Sequence, residues 1–158
     1  MDLKEYRQQI GITMIEASKI CGVPLRTYIR YESAENYGSI LKRKQILLLL
    51  KDKYEINEEK GIISIEYIKN RISEILKKYK DNVSFCYLFG SYAKGYASET
   101  SDVDLCISTS LTGLKFIGLI EEIREALHKK VDLIRLSDLN NNIDLVNEIM
   151  KDGIKIYG

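Results

Sequence analysis

The hydrophobic pattern of the chain changes near residue 80, and this change constrains the fold more than any other feature. Up to about residue 79, apolar residues recur at helical spacing, whereas beyond it short apolar runs alternate with longer amphipathic ones. The predicted strands are 84–90, 103–108, 131–136 and 154–157, with predicted helices at 114–129 and 144–152. Strands that alternate with helices predict an α/β unit whose sheet is covered on one face.

The first part of the chain predicts helices only. Thr13 and Glu16 have the spacing of a capping box, so a helix should begin there and end at Gly22. Pro24 suits the first turn of a second helix, and two short helices joined by a tight turn form a helix-turn-helix. A further helix fits residues 39–53. Its side chains available for a core are Leu41, Ile46, Leu49 and Leu50.

Charge divides the chain into two parts. Residues 1–54 carry ten Lys or Arg and six Asp or Glu, whereas residues 55–158 carry fourteen and seventeen, so the net charges are +4 and −3. The polar stretch 55–63 predicts a linker, and residues 64–158 begin with an amphipathic helix. The predicted fold class is therefore α+β: an all-helical helix-turn-helix domain followed by a small α/β domain with a mixed sheet flanked by helices.

Several classes of protein are excluded by composition. The longest apolar run, ILLLL at 46–50, is far shorter than the roughly 20 residues of a membrane span, and the N-terminus lacks the apolar core of a secretory signal. We therefore expect a cytoplasmic protein with no membrane partner. Cys21, Cys86 and Cys106 lie among apolar neighbours, which indicates buried, reduced thiols. The single histidine, His128, excludes a multi-histidine metal site and should lie on the solvated surface.

The stretch GSYAKGYASETSDVDL, residues 90–105, follows a predicted strand and contains two carboxylates. Gly90 lets the backbone approach a ligand closely, and the Ser91 hydroxyl with nearby N–H groups could face an anion. Asp102 and Asp104 are two residues apart on a strand, so their side chains point to the same side, and pairing of the next strand could bring Asp132 alongside. Such carboxylates attract a divalent cation, Mg²⁺ above all, which also binds phosphates, so the pattern indicates phosphoryl or nucleotidyl transfer.

The motifs YLFGSYAKG, SDVDL and EIMKDGIKIY resemble the DNA polymerase β-like nucleotidyltransferase superfamily, and most closely its small prokaryotic branch, the minimal nucleotidyltransferase (MNT) domains, over about 65–157. The resemblance implies that Asp102 and Asp104 hold Mg²⁺ and that Asp132 holds a second Mg²⁺ or acts as the base. The nucleotide-binding residues that it implies are Gly90, Ser91, Lys94 and Ser101. Lys94 stands where the family more often has Arg, which keeps a phosphate contact but not bidentate geometry.

The same resemblance implies a partner. MNT domains are similar to antitoxins paired with HEPN toxins, which they are thought to silence by transferring AMP from ATP to a toxin tyrosine. The implied function is thus an ATP-dependent protein adenylyltransferase that acts as an antitoxin. One alternative is a transcriptional regulator whose transferase fold only binds nucleotide or a partner protein. Adenylylation of a small molecule is disfavoured, because little of the chain is left to enclose a small acceptor.

The stretch GITMIEASKICGVPLRTYIRYE resembles the helix-turn-helix of the phage-repressor-like (XRE) family. The side chains that should pack inward are Val23, Tyr28 and Tyr31. Those that should face the DNA major groove are Leu25, Arg26, Ile29 and Arg30, with Lys19, Arg43 and Lys44 available for phosphates. Met14 and Ser18 depart from the residues usual in the family. A homodimer on palindromic DNA is expected, and a helical bundle that binds protein or dimerises is the alternative.

Overall fold

A computed structural model of the protein describes residues 1–34 and 36–158 and divides the chain into two compact units, Met1–Ile56 and Asn57–Gly158. The first unit contains α1 (Leu3–Gln9), α2 (Met14–Ile20), α3 (Leu25–Ser33) and α4 (Ile40–Lys53). The second unit contains α5 (Ile65–Lys77), β1 (Val83–Phe89), α6 (Gly90–Lys94), β2 (Val103–Thr109), α7 (Gly113–Leu127), β3 (Val131–Arg135), a 3₁₀ turn (Leu136–Leu139), α8 (Ile143–Asp152) and β4 (Ile154–Tyr157).

Local sequence signals set the helix ends of the first unit. Asp2 and Thr13 each form a capping box, in which the side chain accepts from the N–H three residues on and a glutamate returns the bond. After α2, Gly22 has a φ of +65°, a left-handed conformation that glycine adopts readily, so the chain turns into α3.

The core of the first unit draws on all four helices. Its buried side chains are Leu3, Tyr6, Ala17, Cys21, Tyr28, Tyr31, Ile46 and Leu50, with Val23 packed against them. The prediction that Val23, Tyr28 and Tyr31 pack inward is confirmed. Leu41 and Leu49, however, are 67% and 48% exposed, so their assignment to the core is wrong. Apolar residues surround α4 rather than forming one stripe, so the sequence did not distinguish its buried side from its exposed side.

The second unit is built on a four-stranded mixed sheet of order β3-β2-β1-β4. β2 is antiparallel to β1 and parallel to β3, and β4 pairs with the other edge of β1. A mixed sheet flanked by helices is the predicted class of this part. Ser64 caps α5, as its position before an amphipathic run predicts, and the three cysteines are free and buried as expected.

Helices cover both faces of this sheet, so the prediction of one covered face is wrong. On one face α5 packs against β4 and α7 against β3, over strand residues such as Leu88 and Leu105 that are fully buried. On the other face, Phe89 and Cys106 pack with Leu139 of the 3₁₀ turn and Ile149 of α8. The sequence predicted α8 as a helix, but the spacing of its apolar residues does not tell which face of the sheet it covers.

The segment before α5 is more ordered than a linker. Asn57 and Lys60 form an isolated antiparallel bridge, and Ile63 is 2% exposed. Arg124 of α7 donates to the carboxylate of Glu58 and so ties this turn to α7. No helix among residues 1–34 and 36–158 is long and apolar enough to cross a membrane.

Candidate active site

Strand register brings two of the predicted carboxylates side by side. Asp104 of β2 is the direct Cα partner of Asp132 in the parallel β3, and Phe89, the last residue of β1, is its partner on the other side. Paired residues on neighbouring strands lie about 4.8 Å apart, with their side chains on the same face. Asp102 lies one residue before β2 and is exposed. The sequence prediction that β3 pairs with β2 and brings Asp132 alongside is therefore confirmed.

Gly90 lies directly against Asp104. Its φ is +69°, and a Cβ built on it would lie 2.9 Å from Cγ of Asp104 and closer still to one carboxylate oxygen. A side chain at this position would therefore collide with the carboxylate as well as strain the backbone. The turn that follows β1 thus requires glycine both for its conformation and for the space that Asp104 occupies.

The electrostatics of Asp104 are those of a crowded acidic site. Burial, followed by the negative charges of Asp132, Asp102 and Glu148, raises the pKa of Asp104 to about 6. Each of these effects disfavours the ionised form, so a positive charge placed among these groups would be stabilised. Elevated carboxyl pKa values of this kind concentrate at functional sites.

Lys94 of α6 and Glu148 of α8 form an ion pair beside this cluster. The Nζ atom of Lys94 donates to Oε1 of Glu148 at 2.5 Å, and this hydrogen bond raises the pKa of Lys94. The predicted phosphate ligand Lys94 is thus held by a carboxylate near Asp104. α6 is only five residues long and ends at Gly95, whose φ is +81°.

The loop between α6 and β2 closes on itself. The Ser98 N–H donates to Oγ of Ser101 at 2.8 Å, and the Ser101 N–H donates to the Ser98 carbonyl at 3.1 Å. The hydroxyl of Ser101, assigned to nucleotide binding from the sequence, therefore accepts a hydrogen bond within this turn. Ser91, at the second position of α6, is half-buried.

Two residues near the site have no role in the sequence analysis. Glu148 begins the EIMKDGIKIY motif, which served there only as a resemblance, and α8 carries it to within reach of the charge on Asp104. Lys129 is fully buried, although it lies between two exposed residues, His128 and Lys130. The buried lysine had no signal in its immediate sequence, because its acceptors lie about 30 and 69 residues away.

The acidic residues fit a divalent cation as far as their chemistry goes. Hard cations such as Mg²⁺ prefer carboxylate oxygens, and Asp104 with Asp132 offers them at adjacent strand positions. Among the residues that the structure describes, no three Asp, Glu, His or Cys side chains are gathered into a cage that could hold a metal by themselves. This agrees with the habit of Mg²⁺ to use one or two carboxylates and to complete its shell with waters and substrate phosphates.

The predicted DNA-facing residues of α3 are exposed. Leu25 and Ile29 are each 38% exposed, and Arg26 and Arg30 lie on the same open side, with the Arg30 guanidinium 5.6 Å from the centre of the Tyr37 ring. Of the predicted phosphate contacts, Lys19 and Lys44 are exposed. Arg43, in contrast, donates to backbone carbonyls of Ala34 and Tyr37.

A glycine turn and an acidic strand pair on a small mixed sheet define a nucleotidyltransferase, and comparison with known proteins identifies its family. The family model described as polymerase beta nucleotidyltransferase matches residues 70–158, more than half of the chain. The chain therefore belongs to the polymerase beta nucleotidyltransferase family, and it is an enzyme of that class.

Its relatives are small archaeal and bacterial transferases. A putative protein adenylyltransferase of Methanocaldococcus jannaschii is 40% identical over 73 residues, which cover 41% of this chain and 85% of the relative. The protein adenylyltransferase MntA of Thermococcus cleftensis is 34% identical over 89 residues, covering 52% of this chain and 88% of the relative. A crystal structure of a toxin–antitoxin complex with AMP-PNP contains a similar chain, with a TM-score of 0.50, 26% identity, and coverage of 57% of this chain and 73% of that one.

Proposed function

We propose that the chain is a protein adenylyltransferase that transfers AMP from ATP to a hydroxyl group of a partner protein. The observation that carries this proposal is the half-buried Asp104, which lies beside Asp132 and shares its surroundings with two further carboxylates. Such a cluster is electrostatically incomplete without a cation. A cation that also binds phosphates is what nucleotidyl transfer requires.

Asp102 and Asp104 would hold Mg²⁺, and Asp132 would hold a second Mg²⁺ or accept the proton of the attacking hydroxyl. When bound, the metal supplies positive charge against the α-phosphate and the departing pyrophosphate. Gly90 presents its backbone to the triphosphate without a side chain in the way, and Ser91 offers a hydroxyl beside it. Lys94, steadied by Glu148, and Ser101 complete the proposed nucleotide-binding set.

The acceptor that we propose is a tyrosine of a HEPN-type toxin, which would make the chain an antitoxin. The similar chain of known structure belongs to a toxin–antitoxin complex solved with AMP-PNP, and the relatives are named protein adenylyltransferases. These likenesses support a protein acceptor. The family model matches residues 70–158, which lie in the second unit, so the first unit calls for a proposal of its own.

We expect label from ATP carrying ³²P at the α-phosphate to appear on the product of the adjacent gene, the expected toxin, when the two proteins are incubated with Mg²⁺. ATP labelled at the γ-phosphate should leave the toxin unlabelled, because pyrophosphate departs. Replacement of the modified tyrosine by phenylalanine should remove the label. Absence of label on any protein would refute the transferase proposal and leave nucleotide sensing as the alternative.

For the first unit we propose DNA binding through α3, by which the protein would regulate its own promoter as a homodimer. The support is the open side of α3, where two arginines lie beside two half-exposed aliphatic side chains, together with the net charge of +4 over residues 1–54. Long cationic side chains on an exposed helix suit the major groove and its phosphates. A surface for protein contacts is the competing function of the same face.

Arg26→Ala and Arg30→Ala should each weaken binding to promoter DNA by about 1–3 kcal/mol. Binding of the unaltered protein should also fall steeply as salt is raised, because phosphate contacts release counterions. Electrophoretic mobility shifts at several salt concentrations measure both effects, with Lys115→Ala, an exposed lysine of the second unit, as the matched control. Binding that ignores salt and survives both arginine substitutions would favour the protein-contact function.

A further inference from the structure

Lys129 is a buried cation outside the proposed catalytic set. It is 0% exposed, and it is the one lysine or arginine that is buried in the part of the chain that the structure describes, 1–34 and 36–158. Taking an ammonium group out of water is unfavourable unless hydrogen bonds replace its hydration. Burial accordingly lowers the pKa of Lys129, while the nearby charge of Glu99 opposes that shift. An apolar side chain could fill this space without that penalty, so the ammonium group needs a specific role.

The ammonium group joins two segments through their backbone. Nζ of Lys129 donates to the Glu99 carbonyl at 2.6 Å and to the Lys60 carbonyl at 3.1 Å. Glu99 lies in the loop between α6 and β2, and Lys60 lies in the turn before α5. Backbone carbonyls fix the position of the main chain itself, whichever way the side chains of Glu99 and Lys60 point.

The contact with Glu99 bears directly on Asp102. The loop from Ser98 to Ser101 makes its turn bonds within itself, and these bonds do not anchor it to the sheet. Two hydrogen bonds join this region to the segment before β3: that of Lys129 to the Glu99 carbonyl, and that of the Val103 N–H to the Lys130 carbonyl at 2.9 Å. Asp102 lies between these two anchor points.

The Lys60 carbonyl, the second acceptor of Lys129, connects the loop between α6 and β2 to the turn before α5. Lys60 closes the Asn57–Lys60 bridge, and the neighbouring Glu58 is bound by Arg124 of α7. Lys129 itself follows the end of α7 by two residues. The loop that carries Asp102 is therefore connected through one ammonium group to a turn that is held independently.

We propose that Lys129 is a positioning residue, which holds the main chain at Glu99 and thereby places Asp102 beside Asp104 and Asp132. This inference rests on the proposed function in so far as Asp102 serves transfer. The role of Lys129 in ordering the loop can be measured without any reaction.

The test compares Lys129→Met, which keeps the length of the side chain but not its donors, with Lys130→Met at the exposed neighbour. Hydrogen–deuterium exchange should rise by about tenfold or more in a peptide covering 96–103 of Lys129→Met and stay unchanged in α5. Lys130→Met should match the unaltered protein in both regions. Unchanged exchange over 96–103 in Lys129→Met would overturn the proposal.

A double-mutant cycle with Asp102→Asn tests whether Lys129 acts through Asp102. We expect Lys129→Met to lower kcat by about tenfold to a hundredfold, and the double variant to be no slower than Asp102→Asn alone. Effects that multiply would show that Lys129 acts elsewhere.

Should Lys129→Met fail to fold, Lys129→Gln, which keeps a donor for one carbonyl, takes its place in both measurements. A protein that transfers no AMP in any form refutes the proposed function, while the exchange measurement still decides the role of Lys129.

Discussion

Asp104→Asn is expected to abolish AMP transfer while leaving the fold intact. The amide is nearly isosteric with the carboxylate but carries no charge, so it binds Mg²⁺ poorly and does not balance the ion. We expect activity to fall by at least about 10³-fold, a loss typical of removing a charge-stabilising group from a catalytic site. The label-transfer assay measures it, with Asp81→Asn, an exposed aspartate before β1, as the control that should keep full activity.

The same substitution should raise stability in metal-free buffer above about pH 6. Because Asp104 has its pKa raised to about 6, the unfolded chain releases this proton at lower pH than the folded protein does. The protonated Asp104 carboxyl therefore adds to the stability of the fold below the ordinary aspartate pKa of about 4, and this contribution is lost as the pH rises through about 6. Asparagine does not titrate, so the Tm of the variant should exceed that of the unaltered protein increasingly over this interval.

Thermal unfolding from pH 4 to pH 8 in the presence of a chelator checks this expectation. Asp81→Asn should follow the unaltered protein, since its side chain is exposed and distant from the cluster in the sequence. Mg²⁺ with a non-hydrolysable ATP analogue should raise the Tm of the unaltered protein and leave that of Asp104→Asn nearly unchanged, because binding to the folded state stabilises it. Parallel pH curves for Asp104→Asn and the unaltered protein would contradict the electrostatic account of the site.

Gly90→Ala is expected to have the second largest effect. At a φ of +69°, an alanine costs about 1–2 kcal/mol of stability for its left-handed backbone. Its Cβ would also lie 2.9 Å from Cγ of Asp104, so the carboxylate must be displaced from its position. We therefore expect a loss of transfer of about 10²-fold or more, as for other displacements of about 1 Å in a catalytic constellation.

Gly113→Ala separates the two causes of that loss. Gly113 has a φ of +57° but no atom within 4 Å of the added Cβ, so the substitution carries the backbone strain without a collision. It should lower the free energy of unfolding by a similar amount, measured by urea denaturation, and retain transfer. If Gly90→Ala keeps the activity of Gly113→Ala, the close approach of Gly90 to Asp104 has no catalytic importance.

Much of the fold could be predicted from short-range patterns. A short apolar run predicted β2, longer amphipathic stretches predicted the helices α5 and α8, and Thr13 with Glu16 marked the beginning of α2 within one residue. These patterns depend on neighbours one to four positions apart, which any reader of the sequence can see. The same patterns failed for Leu41 and Leu49 on α4, because a helix that is apolar on most sides does not reveal which side is buried.

The candidate site, like the fold, could be predicted from the sequence only in part. A glycine at the end of a strand, two aspartates spaced by two and a third on a later strand indicated phosphoryl or nucleotidyl transfer. The resemblance of the surrounding motifs to a known family implied a nucleotidyltransferase, the class that the family match confirms. The roles of the individual residues remain predictions. Glu148 and Lys129 could not be assigned, because the groups near them lie in segments that are distant along the chain.

The sequence by itself thus determined the order of helices and strands, the acidic and glycine residues, and the chemistry that such residues favour. All of these depend on residue type and on spacing along the chain. The sequence predicted that Asp132 comes alongside, but only the tertiary structure decided the register that makes it the direct partner of Asp104. Only the tertiary structure also decided that the Asp104 carboxylate occupies the space a side chain at Gly90 would need, and that Lys129 holds the Glu99 carbonyl. Strand register, close approach and burial are set by contacts between residues far apart in the chain, and no local pattern encodes them.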